Sequence, residues 1–106
     1  MKYKVDVILV TYNQRTYIKK ALDSILSQKF DSFRVLIHDD CSDDGTKQII
    51  EDYHKKYPER IVPIYEVNRT FIKLGFNKMI KERIVPFVES NYIAYCDGDD
   101  YWCDDN

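Results

Sequence analysis

The chain has 106 residues, of which 44% are hydrophobic and 32% are charged, and this length accommodates one domain with a single core. Sixteen basic against eighteen acidic residues give a net charge of −2, which excludes binding driven mainly by nucleic-acid phosphates. No apolar run approaches the roughly 20 residues that a membrane-spanning helix requires. Three scattered cysteines indicate reduced thiols in a cytosol-like compartment rather than a disulfide framework.

Strand and helix patterns alternate along the chain. The predicted strands are residues 5–12, 33–38, 61–67 and 91–97, and the predicted helices are residues 14–28, 47–57 and 72–89. Thr16 is expected to cap the first helix, Pro58 to end the second, and Pro86 to kink or end the third. Pro63 favours an edge position for the third strand. The predicted fold is therefore α/β, a Rossmann-like parallel sheet with the succession βαβαβαβ and the strand order 3-2-1-4.

Polar clusters follow three of the four predicted strands. They are Thr11-Tyr12-Asn13 after strand 1, Asp39-Asp40 after strand 2, and Asp97-Gly98-Asp99-Asp100 after strand 4. In such sheets ligands bind outside the carboxyl ends of the strands, where the strand order reverses. The reversal here falls between strands 1 and 4, so the sequence predicts a ligand site at this edge.

The third cluster places three carboxylates within four residues. Asp97, Asp99 and Asp100 repel one another unless a hard cation lies among them, and Gly98 lets the backbone turn tightly. Oxygen ligands of this kind suit Mg²⁺ or Mn²⁺. The alternative is a solvated acidic turn, which is what most charge runs are.

The Asp39-Asp40 pair also has two interpretations. One of Asp40, Ser42 and Asp44 is expected to cap the following helix. Since a cap needs one acid, the second is expected to accept a hydrogen bond from a ligand N–H, such as N3 of uracil. Residues 40–51 also fit a permissive calcium-loop pattern, but the strand before them and the absence of a second copy argue against calcium.

Several other classes of site are disfavoured. The sequence has no dinucleotide fingerprint, no P-loop and no Gly-x-Ser-x-Gly elbow. A zinc site built from His38 and the cysteines lacks Cys-x-x-Cys spacing, and a buried or satisfied histidine is expected instead. Nucleotidyl transfer would require a glycine-rich loop after strand 1, and TYNQR is not one.

Four segments together closely resemble the nucleotide-binding half of GT-A glycosyltransferases of family 2. They are VDVILVTYN (5–13), SILSQKF (24–30), VLIHDDCSDDGT (35–46) and YIAYCDGDDYW (92–102). The resemblance implies an inverting, metal-dependent transfer of a sugar from a nucleotide donor, expected to be UDP, to a saccharide or lipid-linked acceptor. It also implies a divalent cation, Mn²⁺ or Mg²⁺, as cofactor.

The same resemblance suggests roles for individual residues. Asp99 would be the direct metal ligand, and Asp97 would contact the cation, the ribose or the phosphate. Asp40 would contact the uracil. The nucleotide-binding residues expected from the strand ends and the resemblance are Thr11, Tyr12, Asn13, Asp39, Asp40, Asn68 and Asp97, and the metal ligands are Asp97 and Asp99. The cation that approaches the phosphates, Arg69 or a lysine, is left open because the segment after strand 3 departs from the family pattern.

Members of the family are longer and carry the acceptor site and the catalytic base in their second half. Residues 1–106 are therefore expected to be the nucleotide-sugar-binding portion, truncated after the Asp-x-Asp motif, with the base beyond residue 106. The alternative is a non-catalytic fragment that only binds the nucleotide sugar. The expected location is the cytoplasm, either free or peripheral at the inner face of a membrane.

Overall fold

The computed structural model of the chain describes residues 3–29 and 32–97. Its strands are β1 (Val5–Thr11), β2 (Phe33–Asp39), β3 (Ile61–Tyr65) and β4 (Tyr92–Asp97), and its two longer helices are α1 (Arg15–Leu26) and α2 (Thr46–Lys56). All strand pairs are parallel, and the sheet order is β3-β2-β1-β4. The predicted α/β class, strand order and edge position of the third strand are confirmed.

The sheet is apolar on both faces because its central strands are nearly continuous runs of β-branched and aliphatic residues. Alternate side chains point to opposite faces, so each strand contributes to two cores. One core joins α1 and α2 to the sheet and includes Val7, Leu9, Ile18, Leu22, Val35, Ile37 and Ile50. The other lies on the opposite face and consists of Ile8, Leu36, Ile64, Met79 and Ile84. The molecule is therefore a three-layer arrangement with the sheet in the middle.

The predicted single helix over residues 72–89 is wrong. The connection from β3 to β4 is built from four short pieces: α3 (Thr70–Leu74), α4 (Phe76–Met79), a π-helical turn (Ile80–Ile84) and a 3₁₀ turn (Val85–Phe87). Gly75 separates α3 from α4 with a φ of 78°, a conformation that glycine adopts without strain. Pro86 lies in the 3₁₀ turn, where it can begin a turn but cannot continue a regular helix.

The predicted cap of the first helix is also wrong. Gln14, and not Thr16, precedes α1, and it makes no capping hydrogen bond with its side chain. The N–H of Arg15, the first residue of α1, instead donates to Asp44 Oδ2 at 3.2 Å. Pro58 follows the end of α2 as predicted.

A buried aspartate in β1 fixes the amino end of the sheet. Asp6 is fully buried, and Arg34 of β2 donates from Nε to its Oδ1 at 2.9 Å. The backbone N–H groups of Glu89 and Ser90 donate to Asp6 Oδ2 at 2.7 and 3.0 Å. Arg34 also donates to the carbonyl oxygen of Phe87 at 2.9 Å. One ion pair thus attaches the chain just before β4 to both central strands.

The outer edge of β4 has no partner strand among residues 3–29 and 32–97, and its side chains Tyr92, Ile93 and Tyr95 are exposed. Over the same residues, no helix has the length and apolar character that crossing a bilayer demands.

We expect Asp6→Asn to destabilise the fold in a pH-dependent way. Burial alone would raise the pKa of Asp6, but hydrogen bonds from Arg34, Ser90 and Glu89 outweigh it and hold the pKa below its usual range. A carboxyl whose pKa is lowered by folding contributes stability above its unfolded pKa, about 3.9, and loses that contribution as the pH falls. The variant should therefore be about 3 kcal/mol less stable near pH 7, and the difference should shrink well below pH 4.

Urea unfolding of both proteins near pH 7 and near pH 3 measures this difference. Asp43→Asn, at an exposed aspartate, is the matched control and should change stability by less than about 0.5 kcal/mol. An Asp6→Asn effect of equal size at both pH values would contradict the assignment.

Candidate functional site

A cleft opens at the carboxyl ends of β1 and β2, where the sequence places the ligand site. Its volume is about 230 Å³, and its walls include Thr11, Tyr12, Gln14, Asp40, Arg69 and Phe71. Larger grooves of about 470 Å³, between α1 and α2, and about 340 Å³, near Tyr57 and Arg60, lie away from these strand ends. The smaller cleft is the candidate site because predicted residues from two strand ends meet there.

The end of β1 contributes an aromatic ring and a hydroxyl to the cleft. Thr11 is the last residue of β1, and its buried Oγ1 has no hydrogen-bond partner in the part of the chain that the structure describes. Tyr12 follows it and is partly exposed. A buried hydroxyl without a partner is costly, so one that lines a cleft is suited to a ligand polar group.

Asn13 is directed to a neighbouring turn instead. Its φ of 49° lies in the left-handed region, which asparagine tolerates better than most residues. Its N–H donates to Ser42 Oγ at 2.9 Å, and its Oδ1 accepts from the N–H of Asp43 at 2.8 Å. Asn13 therefore ties the end of β1 to the turn after β2.

Asp39, the first of the paired aspartates, is occupied within the same turn. Its carboxylate is fully buried and accepts from the N–H of Ser42 at 3.1 Å and from the Ser42 hydroxyl at 2.5 Å. Asp39 does not line the cleft. Through Ser42 it shapes the loop that carries Asp40.

The N-cap residue of the second helix is Gly45 and none of the three candidates, although Asp44 beside it bonds to the start of the helix. Asp44 Oδ1 accepts from the N–H of Thr46, the first residue of α2, at 3.0 Å. Gly45 stands between them with a φ of 99°. Since Asp44 also accepts from Arg15, one carboxylate binds the first backbone N–H of both helices.

Asp40, the second aspartate of the pair, is almost completely buried at the cleft and accepts four hydrogen bonds. Oδ1 accepts from the N–H of Thr70 at 2.7 Å and from the Thr70 hydroxyl at 2.5 Å. Oδ2 accepts from the N–H of Phe71 at 3.0 Å and from Arg69 Nε at 2.9 Å. Burial would raise the pKa of Asp40, but these bonds outweigh it and hold the pKa below its usual range. Asp40 is thus charged and is held in place by the start of α3.

Arg69 completes this group by stacking on Tyr12. Its guanidinium carbon lies 3.4 Å from the centroid of the Tyr12 ring, a cation–π contact, while its Nε donates to Asp40. The sequence offered Arg69 only as one of several cations. Its partner lies 29 residues earlier in the chain, and no local pattern links the two.

The remaining predicted site residues either do not line the cleft or lie outside the described residues. Asn68 is exposed in the loop after β3 and does not line the cleft. The backbone of Asp97 ends β4 and is paired with Val10, so the acidic segment begins beside the end of β1. The side chain of Asp97 and the whole of Asp99 lie outside the described residues. Within the described part, no group of three or more His, Cys, Asp or Glu side chains is arranged to hold a metal ion.

His38 is a buried core residue, as expected, and its Nδ1 has no hydrogen-bond partner among the described residues. It is buried, with its Nε2 at 3.0 Å from Glu66 Oε2, and Arg83 of the π-helical turn donates to both oxygens of Glu66 at 2.7 Å. Sequence reasoning missed Glu66 and Arg83 because neither stands in a motif. Their role is to hold the π-helical turn against the sheet behind the cleft.

The family follows from this fold and from comparison with known proteins. Residues 6–106 match the model of glycosyl transferase family 2. The chain belongs to that family.

Relatives and solved structures agree with this membership. The putative teichuronic acid biosynthesis glycosyltransferase TuaG of Bacillus subtilis is 35% identical over 98 residues, which cover 92% of this chain and 36% of the relative. The uncharacterized glycosyltransferase MG025 of Mycoplasma genitalium is 37% identical, over 99% of this chain and 34% of the relative. The chain therefore spans about a third of the length of these relatives.

Two solved structures share the fold. The crystal structure of S. aureus TarS 1-349 in complex with UDP has a TM-score of 0.74 at 32% identity and covers 92% of this chain and 28% of that one. The mannosyltransferase PcManGT of Pyrobaculum calidifontis, solved with GDP-Man and Mn²⁺, has a TM-score of 0.77 at 22% identity, over 98% of this chain and 30% of that one. The fold is thus the GT-A arrangement that the sequence resemblance implies.

We expect Ser42→Ala to cost about 1–2 kcal/mol of stability. Ser42 joins the two strand ends of the site, since its hydroxyl donates to Asp39 and accepts from the N–H of Asn13. Removing the hydroxyl leaves both groups short of a partner in a buried turn. Denaturant unfolding measures the loss, with Ser27→Ala at an exposed helix end as the matched control. Equal effects of the two substitutions would contradict the role given to Ser42.

Proposed function

We propose that the chain is the nucleotide-sugar-binding portion of an inverting, metal-dependent glycosyltransferase that uses a UDP-sugar donor. The observation that carries the proposal is the meeting of the Tyr12 ring, the unpartnered Thr11 hydroxyl and the Asp40 carboxylate in one cleft at the end of β1. The position also fits, because the cleft lies where the order of the sheet reverses. The likeness to TarS in complex with UDP supports uracil as the nucleobase of the donor.

The described contacts favour different roles for the predicted nucleotide-binding residues. Tyr12 offers a ring face on which the base stacks, and Thr11 offers a hydroxyl to the base or ribose. Asp40 accepts from N3–H of uracil. Asn13 and Asp39 act through the turn that they hold together rather than through direct contact. The exposed Asn68 is the weakest member of the proposed set.

The carboxylates of Asp97 and Asp99 are the proposed ligands of a divalent cation, Mn²⁺ or Mg²⁺. Their oxygens are of the type that such hard cations prefer, and the register of β4 with β1 brings the segment to the edge that holds the cleft. A diphosphate beside two carboxylates also requires positive charge between them. When bound, the cation offsets the charge of the departing nucleoside diphosphate.

The transfer itself would need an acceptor and a base. In an inverting reaction a base takes the proton of the acceptor hydroxyl as this attacks C1 of the sugar, and the nucleoside diphosphate leaves from the opposite side. Because the chain matches only about a third of its relatives, we assign the base and the site for a saccharide or lipid-linked acceptor to the remainder of such proteins.

Nucleotide-sugar binding without transfer is the second candidate function. It is favoured because the buried carboxylates in the described part of the chain already accept hydrogen bonds from the protein. Asp6, Asp39, Asp40 and Glu66 each accept hydrogen bonds from protein groups, so none is positioned as a general base.

We expect UDP to bind only in the presence of a divalent cation, and Asp99→Asn to remove both the cation dependence and most of the affinity. The cation is needed because the diphosphate and the carboxylates are all anionic. Isothermal titration calorimetry with UDP, in Mn²⁺ and in EDTA, measures the effect. Asp52→Asn, at an exposed aspartate of α2, is the control and should bind as the unmodified protein does. Equal UDP affinity in Mn²⁺ and EDTA would refute the metal site.

We expect Asp40→Ala to weaken uridine nucleotides by about 1–3 kcal/mol and to leave ADP binding unchanged, because a charge-assisted bond to N3–H is lost. Thr70→Val is the control for loosening of α3, since it removes one donor to Asp40 but keeps the carboxylate. The measurement is the dissociation constant of UDP and of ADP for the unmodified chain, for Asp40→Ala and for Thr70→Val. An equal loss of affinity for UDP and ADP would show that Asp40 does not recognise the uracil.

A further inference from the structure

Arg69 occupies the two contacts that the proposed function gives to the base. Its guanidinium lies over the Tyr12 ring, with the central carbon 3.4 Å from the ring centroid. Its Nε donates to Asp40 Oδ2 at 2.9 Å. The inference below rests on the proposed function, because it concerns the same ring and the same carboxylate.

The guanidinium and the uracil ring are alike in the features that this subsite recognises. Both are planar, both present a flat face to an aromatic ring, and both carry an N–H donor in the plane. A guanidinium on Tyr12 that donates to Asp40 therefore imitates a stacked base that donates from N3. The two groups cannot hold the same ring face and the same carboxylate oxygen at once.

Only one of the four donors to Asp40 can be exchanged without local unfolding. Three of them belong to the first two residues of α3: the N–H and hydroxyl of Thr70 and the N–H of Phe71. The fourth is the end of the long Arg69 side chain, which is 29% exposed against 2% for that of Asp40. Release of Arg69 would leave Asp40 oriented by α3, with one acceptor position of Oδ2 open toward the cleft.

We propose that Arg69 is a gate of the base subsite, which competes with uracil for Tyr12 and Asp40 and must be released for the nucleotide to bind. The apparent affinity for a uridine ligand is then its intrinsic affinity multiplied by the fraction of molecules in which Arg69 has left the ring. The Arg69 end of this ion pair is partly exposed, so water can solvate the released guanidinium and a ligand can displace it.

Uridine titration of Arg69→Ala tests the gate. Uridine lacks phosphates, so any contact of Arg69 with the diphosphate does not enter the measurement. We expect the variant to bind uridine about tenfold more tightly than the unmodified chain. This factor corresponds to an unmodified chain in which Arg69 covers Tyr12 in about nine molecules of ten. Arg60→Ala is the matched control, because Arg60 also stacks on a ring, that of Phe33 at 4.4 Å, but lies away from the cleft. Its uridine affinity should not change.

A second measurement uses the unmodified chain and does not depend on the folding of a variant. The hydrogen bond to Asp40 and the Tyr12 ring should shift the Hε resonance of Arg69 from the ordinary arginine range, and it should return to that range when UDP and Mn²⁺ saturate the protein. An Hε resonance that stays shifted at saturation would overturn the gate.

The outcomes separate this inference from the proposed function. UDP binding with Mn²⁺ by the unmodified chain, together with uridine binding by Arg69→Ala that is equal or weaker, would overturn the gate and leave the proposed function standing. Absence of UDP binding to the unmodified chain and to Arg69→Ala would overturn both. Tighter uridine binding by Arg69→Ala, together with release of the Hε shift, supports both.

Discussion

A carboxylate that folding removes from water must collect its hydrogen-bond donors from the protein. Asp6, Asp39 and Asp40 are all at most 1% exposed, and each lies in or directly after a central strand. Each carboxylate collects its backbone N–H donors from a different connection. Asp39 uses the turn before α2, Asp40 uses the start of α3, and Asp6 uses the residues just before β4. These requirements decide where the connections attach to the sheet.

The candidate site is a consequence of one of these attachments. Because Asp40 binds the first turn of α3, Arg69 is brought over Tyr12, and Phe71 forms a wall of the cleft. The cleft therefore brings together the end of β1, at Thr11, and the start of α3, at Thr70, which lies 59 residues later in the chain. The ion pair between buried Glu66 and exposed Arg83 holds the π-helical turn of the same connection to the end of β3.

Local patterns predicted the sheet but not the last connection. The strands were readable because apolar runs and the position of Pro63 are local signals, and the meeting of Thr11 with Asp40 followed from parallel topology alone. The connection after β3 has apolar residues at helical spacing, yet it breaks at Gly75 and changes to a π-helical turn. Donors to Asp40 come from about thirty residues away, so only the folded chain reveals them. The acidic segment from Gly98 onward lies outside the described residues, and its metal role stays a prediction.

The connection from β3 to β4 is held at its two ends by opposite ends of the sheet, through Asp40 at the carboxyl side and Asp6 at the amino side. In both attachments backbone N–H groups donate to a side-chain carboxylate, so the attachments do not depend on which side chains occupy the middle of the connection. Gly75 lies there in the open, where an added Cβ would meet no atom within 4 Å. Gly75 lies between Phe71 and Phe76, which both line the cleft and pack edge to face with their ring centroids 5.9 Å apart, so a change of length here would reshape the cleft and leave both attachments in place.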